Sequence, residues 1–139
     1  TLDVTQPFTV AFAINLKETN TGRYIISLDG STNKIFDIYT GTGDNVTIRV
    51  GATTATATIT RDQFVIFQLV VNGASSKFRQ NLDSFTAASL GTDHIKHPTI
   101  GYDGGSGYCN MELTAVCIFE RVLTDDELDG LFINLEARI

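Results

Sequence analysis

The stretch Phe8-Thr9-Val10-Ala11-Phe12-Ala13-Ile14-Asn15-Leu16 decides the fold. Phe8, Val10, Phe12, Ile14 and Leu16 share one parity; Thr9, Ala11, Ala13 and Asn15 share the other. A period of two held over nine residues is the pattern of a β-strand with one face committed to a core. A polar loop at 17–22 follows, then a second strand at 23–29 that closes on the turn residues Asp29-Gly30-Ser31. Ile35, Phe36, Ile38 and Tyr39 mark a third strand, stopped by Gly41-Thr42-Gly43-Asp44-Asn45, after which Val46, Ile48 and Val50 alternate with Thr47 and Arg49. Residues 53–60 alternate Thr with Ala or Ile, which gives one hydroxyl-lined face and one small-residue face.

Phe64–Val71 is apolar apart from Gln68 and reads as a central strand covered on both sides. Its Asn72-Gly73 ending predicts a two-residue type I′ hairpin, whose central positions need positive φ. Residues 76–92 fit no period, and 96–101 form a weak strand limited by Pro98. Past the glycine-rich loop at 101–108, the longest alternation places Cys109, Met111, Leu113, Ala115, Cys117 and Phe119 on one face. Asn110, Glu112 and Thr114 fall on the other.

One segment changes period. Thr124 and Glu127 have capping-box spacing, Asp125 and Asp126 suit the positive end of a helix, and Leu123 with Leu128 has the spacing of a hydrophobic staple. Leu128, Leu131, Phe132 and Leu135 then follow helical spacing, so a short amphipathic helix is predicted over about 124–137 that must dock on something apolar. Thr, Ile and Val together supply 41 of the 139 residues, which suits pleated strands. The fold class expected is all-β: a two-sheet antiparallel sandwich with one C-terminal helix. A single domain over 1–139, excised from a larger protein, is expected.

The formal charge of −6 disfavours nucleic acid, because phosphate binding starts from a basic patch. No apolar run approaches the roughly 20 residues that span a bilayer. Two cysteines are too few for a disulfide scaffold, and eight residues along one strand hold Cys109 and Cys117 about 26 Å apart, so unpaired buried thiols are expected.

The order of these elements resembles the laminin-G-like, concanavalin A-like lectin/glucanase superfamily. The resemblance rests on the early strand Phe8–Leu16, the Asp29-Gly30 strand end, the long strand closing on Asn72-Gly73, and Ile100-Gly101 before a small-residue loop. It is completed by Arg121-Val122-Leu123-Thr124-Asp125-Asp126-Glu127-Leu128 leading into a helix. It implies a jelly-roll sandwich of two antiparallel sheets. The chain departs from it in having Phe64 where members often carry Trp, and no Trp anywhere. Glycoside hydrolases of the superfamily carry a Glu-x-Asp-x-x-Glu strand that sets two carboxylates about 5 Å apart. Glu112 and Glu120 are eight residues apart with Ala115 and Val116 between them, so the chain is expected not to be an enzyme.

The best candidate site is the 101–108 loop, where Tyr102 and Tyr108 flank Asp103 and Ser106. A sugar offers C–H faces to a flat ring and hydroxyls to polar groups, and tyrosine and aspartate supply those partners. Tyr39, Asp44 and Asn45 are candidates for further ligand contacts. No cofactor and no metal are expected; calcium, if held at all, would use the oxygens of Asp37 and Asp44. Asn45-Val46-Thr47 is a glycosylation sequon. His94 and His97 lack further zinc ligands nearby and read as loop residues.

The role expected is a non-catalytic recognition module that binds cell-surface glycan or an extracellular protein within a larger extracellular, cell-surface or viral adhesion protein, with oligomerisation through the parent chain. The alternative is a decoration or oligomerisation domain of a virion, phage tail or surface protein, using the hydroxyl-rich strand at 53–60 for protein contacts.

Overall fold

A computed structural model describes residues 3–28, 36–93, 95–96, 98–102 and 108–139. The expected Asp29-Gly30 turn, Ile35, His94 and His97 lie outside these residues. In chain order the elements are β1 (Asp3–Val4), β2 (Phe8–Leu16), β3 (Tyr24–Leu28), β4 (Phe36–Thr40), β5 (Asn45–Val50), β6 (Thr53–Thr58) and β7 (Phe64–Val71). These are followed by β8 (Ser76–Gln80), β9 (Thr86–Ala88), β10 (Ile95–Lys96), β11 (Pro98–Ile100), β12 (Met111–Phe119) and helix α1 (Asp125–Glu136). Two antiparallel five-stranded sheets carry the fold, ordered β11-β3-β4-β5-β6 and β12-β2-β7-β8-β9, with β1 and β10 forming a small separate pair. The expected all-β sandwich with a short C-terminal helix is what forms.

The decisive strand works on both of its faces. Phe8, Val10, Phe12, Ile14 and Leu16 enter the core between the sheets, alongside Val65, Phe67 and Leu69 from β7 and Ile38, Ile48 and Val50 from the opposite sheet. Phe12 lies 5.3 Å from Phe67 between ring centroids, and Phe8 packs edge-on to Phe36 at 5.6 Å. The opposite parity is small, and that is what admits the helix. Ala11 and Ala13 pack with Ile66, Phe132 and Leu135, and Val70 packs with Leu123 and Leu128.

The helix is stopped and fastened as its sequence requires. Thr124 and Glu127 form the reciprocal capping box, and the staple leucines Leu123 and Leu128 are both buried. Gln68, the one polar residue of β7, is buried beneath α1. It donates to the Leu128 carbonyl at 2.6 Å and accepts from Arg79 Nε at 2.6 Å, while Arg79 Nη2 reaches Asp129 at 2.6 Å. Thr9 acts similarly, donating to the Arg121 carbonyl and accepting from the Leu123 amide.

Two sequence expectations need correction. The β7–β8 connection is not a two-residue type I′ turn. Asn72 has φ −150° and only Gly73 takes a positive φ, because a 3-10 turn over Gly73–Ser75 lengthens the hairpin. The unbroken parity of β12 also fails. Its pairing with β2 shifts register between Leu113 and Ala115, so Thr114 is an extra residue and later side chains exchange faces. Met111, Leu113, Val116 and Ile118 pack on the inter-sheet core, whereas Ala115 and Cys117 pack under the helix. Cys109 is buried and Cys117 half-buried, both unpaired.

The segment at 76–92, aperiodic in sequence, contributes β8 and β9 at the sheet edge. Pro98 opens β11, itself an edge strand, where its missing N–H costs little. In β6, Ala55 and Ala57 turn toward the core and Thr54, Thr56 and Thr58 toward solvent.

Candidate functional site

The strand directions bring one set of connections to a single end of the sandwich. There β2 ends and β3 starts, β4 ends and β5 starts, β6 ends and β7 starts, and β11 ends and β12 starts. The 101–108 loop and the Gly41–Asn45 turn, recognised separately in the sequence, thus rise from the same end. Tyr39 and Tyr24, paired across β4 and β3, lie at that end of their strands.

Backbone bonds close the neck of the loop. The Gly101 amide donates to the Ile25 carbonyl and the Cys109 amide to the Gly101 carbonyl, both at 2.9 Å. Gly101 has φ +73°, and an added Cβ would stand 3.1 Å from the Met111 methyl. This neck sets Tyr102 and Tyr108 face to face, with centroids 5.0 Å apart and planes 26° apart. Tyr102 is half-buried and Tyr108 is 80% exposed, so the pair offers an aromatic surface to solvent. Asp103 and Ser106 lie outside the described residues.

Glu18 holds the base of this loop. Its buried carboxylate accepts from the Asn20 amide (2.9 Å), the Asn20 side chain (2.8 Å) and the Asn110 amide (3.0 Å). Burial pushes its pKa up, but these hydrogen bonds and the nearby Arg23 charge outweigh it and leave the carboxyl below its ordinary value. Burial, reinforced by the Glu18 charge, pushes the neighbouring Cys109 thiol up to about 12.

The Gly41–Asn45 turn is tied down by Arg61. Its guanidinium donates to the Gly43 carbonyl and lies 3.5 Å from Asp44 Oδ1, while the Asp44 carbonyl accepts from the Ile59 amide at 2.9 Å. Asp44 and Asn45 are exposed. Tyr39 belongs to a different group on the outer sheet face. It packs on Tyr24 at 5.4 Å, under the Arg49 guanidinium 5.6 Å away, and Arg49 pairs with the fully buried Asp37. The two calcium candidates are therefore not brought together, since each faces an arginine of its own. Among the described residues no three His, Cys, Asp or Glu side chains are grouped to hold a metal. Glu18, Arg49 and Arg61 were not legible as site residues, because nothing in their sequence neighbourhoods signals which strands they would join. No helix among the described residues is long and apolar enough to cross a membrane.

No family model and no curated protein matches this chain. Solved structures do. Trypanosoma rangeli sialidase matches with a TM-score of 0.72 at 17% identity, covering 94% of this chain and 23% of its own. The native heptameric SAP-like pentraxin of Limulus polyphemus matches at 0.68 and 18% identity, covering 95% and 72%. Domain 4 of AbnA, a GH43 extracellular arabinanase from Geobacillus stearothermophilus solved in complex with arabinotriose, matches at 0.64 and 14% identity, covering 93% and 69%. The fold shared with them is the concanavalin A-like jelly-roll β-sandwich, and this chain spans under a quarter of the sialidases' length. These neighbours overturn the expectation that the chain is not an enzyme, because sialidases and a domain of a glycoside hydrolase share its sandwich. A missing Glu-x-Asp-x-x-Glu strand excludes one arrangement of carboxylates and does not decide whether the protein is an enzyme.

Proposed function

We propose that this chain is a carbohydrate-recognition module of the laminin-G-like kind, working within a longer secreted or surface-displayed protein. The observation that carries the reading is the Tyr102–Tyr108 stack held out by a closed loop neck. An aromatic face so exposed in water is unfavourable by itself and suits the C–H face of a pyranose or furanose ring. The exposed Asp44 and Asn45, from the neighbouring connection at the same end, and Asp103 and Ser106 of the loop supply polar partners for sugar hydroxyls. The laminin-G-like assignment is supported by the capping box and staple at Thr124, Glu127, Leu123 and Leu128. The arabinotriose complex of the arabinanase domain supports the ligand class. A shallow site of this kind binds weakly, and repetition on a parent assembly raises its avidity.

The test is a glycan array that includes arabino-oligosaccharides, probed with the wild-type chain and with Tyr108→Ala and Tyr102→Ala. The reading expects saccharide binding that falls by about tenfold or more on loss of either ring, in line with one aromatic contact. Binding indifferent to both substitutions overturns this site.

A further inference from the structure

A groove runs where the last turns of α1 meet the start of β7 and the turn after β8. Its cavity measures about 580 Å³, and Phe64, Leu82, Phe132 and Ile139 line it, with the acidic Asp83 and Glu136 at its rim. Phe64 is 36% exposed, Leu82 56% and Ile139 48%, three of the large apolar side chains left open to water among the described residues. Apolar surface collected in one concave place, rather than scattered, marks an interaction site. Phe132 and Glu136 stand one turn apart on α1, so the last turn of the helix forms one wall of the groove, and Ile139 beyond the helix end adds to it. No lining residue is basic. A second copy of the chain, with net charge −6, would bring its own acidic rim against Asp83 and Glu136, which works against self-association.

We propose that this groove docks a cationic amphipathic helix, from another domain or protein, that inserts bulky apolar anchors between Phe64, Leu82 and Phe132 while its Lys or Arg side chains meet Asp83 and Glu136. This is helix-in-groove recognition with the charge pattern reversed on the partner. The groove shares no residue with the Tyr102–Tyr108 pair.

The probe is a synthetic amphipathic helix of Leu and Lys, titrated calorimetrically into the intact chain, with a Leu/Glu peptide of the same pattern as comparison. The proposal expects saturable binding of the Leu/Lys peptide only. Binding should weaken by about tenfold or more in Phe64→Ser/Leu82→Ser, as loss of two apolar contacts requires. It should weaken by roughly threefold in Asp83→Asn/Glu136→Gln, as loss of two exposed charge contacts requires. A thermal melt of each variant confirms that these surface changes leave the fold intact. Absence of saturable binding, equal binding of the Leu/Glu peptide, or binding unchanged in the Ser variant overturns the proposal. So does a wild-type dimer in sedimentation that the Ser variant dissolves, since the groove would then belong to a second copy.

Discussion

The carboxylate of Asp37 on β4 is fully buried and accepts from Arg49 on β5, through Nε at 2.8 Å and again through Nη2, while its other oxygen has no hydrogen-bond partner. The two residues stand directly across from each other in the sheet. Removing the arginine strands a buried charge, which is much worse than lacking the pair altogether. Arg49→Leu is expected to destabilise the chain by on the order of 3 kcal/mol, read by chemical denaturation. Asp37→Leu in the same chain should recover part of that loss. Additive losses in the double variant would show that the two side chains do not act together.

Gln68 is the polar bolt between β7 and α1. Gln68→Leu leaves the buried Arg79 Nε without its acceptor and takes from the Leu128 carbonyl the donor it has beyond the helix ladder. The expected cost is about 2 kcal/mol, the range for stranding buried polar groups, seen as a lowered Tm. Thr124→Ala removes only the cap at the helix start and should cost about 1 kcal/mol. A Gln68→Leu variant as stable as wild type would mean that the helix is held by apolar contacts alone.

Glu127 gives a pH signature. A two-pronged hydrogen bond from Arg121, at 2.7 and 2.8 Å, and the Thr124 amide hold its carboxyl down from 4.5 to about 2. A carboxylate whose pKa is lower folded than unfolded stabilises above its unfolded value and loses that contribution as pH falls. The Tm gap between wild type and Glu127→Gln should therefore be full above pH 4.5, shrink below it and vanish as pH passes through about 2. A gap constant with pH would contradict the assignment.

Cys109 should be inert in the native state. With its thiol pushed up to about 12 by burial and by the Glu18 charge, almost no thiolate forms at about pH 8. A thiol reagent should leave Cys109 unmodified until denaturant is added, as peptide mass mapping can show. Native labelling of Cys109 would mean that the loop base opens.

Phe8–Leu16 was legible because its large side chains keep to the core parity, which enforces a period of two, and Phe64–Val71 because cover on both faces makes the strand a continuous apolar run. The helix was legible because its cap, staple and apolar stripe are all local. What escaped depended on partners distant in sequence. The bulge at Thr114 reverses the outer half of β12 only to match β2, and nothing within 111–119 announces it. The turn after Asn72 is lengthened to a 3-10 form whose bonds run through Ser76 and Gln6, neither part of a two-residue signal. The tyrosine pair was legible as two rings flanking a glycine-rich loop, but Asp37 and Asp44 looked like cation ligands because their arginines, Arg49 and Arg61, lie 12 and 17 residues away in sequence.

The most direct measurement is an amide NMR titration of the chain with arabinotriose and a panel of other short saccharides. Carbohydrate recognition at the loop end predicts saturable shifts at Tyr102, Tyr108, Cys109 and Asn110 for at least one saccharide, absent in Tyr108→Ala. Saturable shifts confined to other parts of the molecule, or none across the panel, would contradict it.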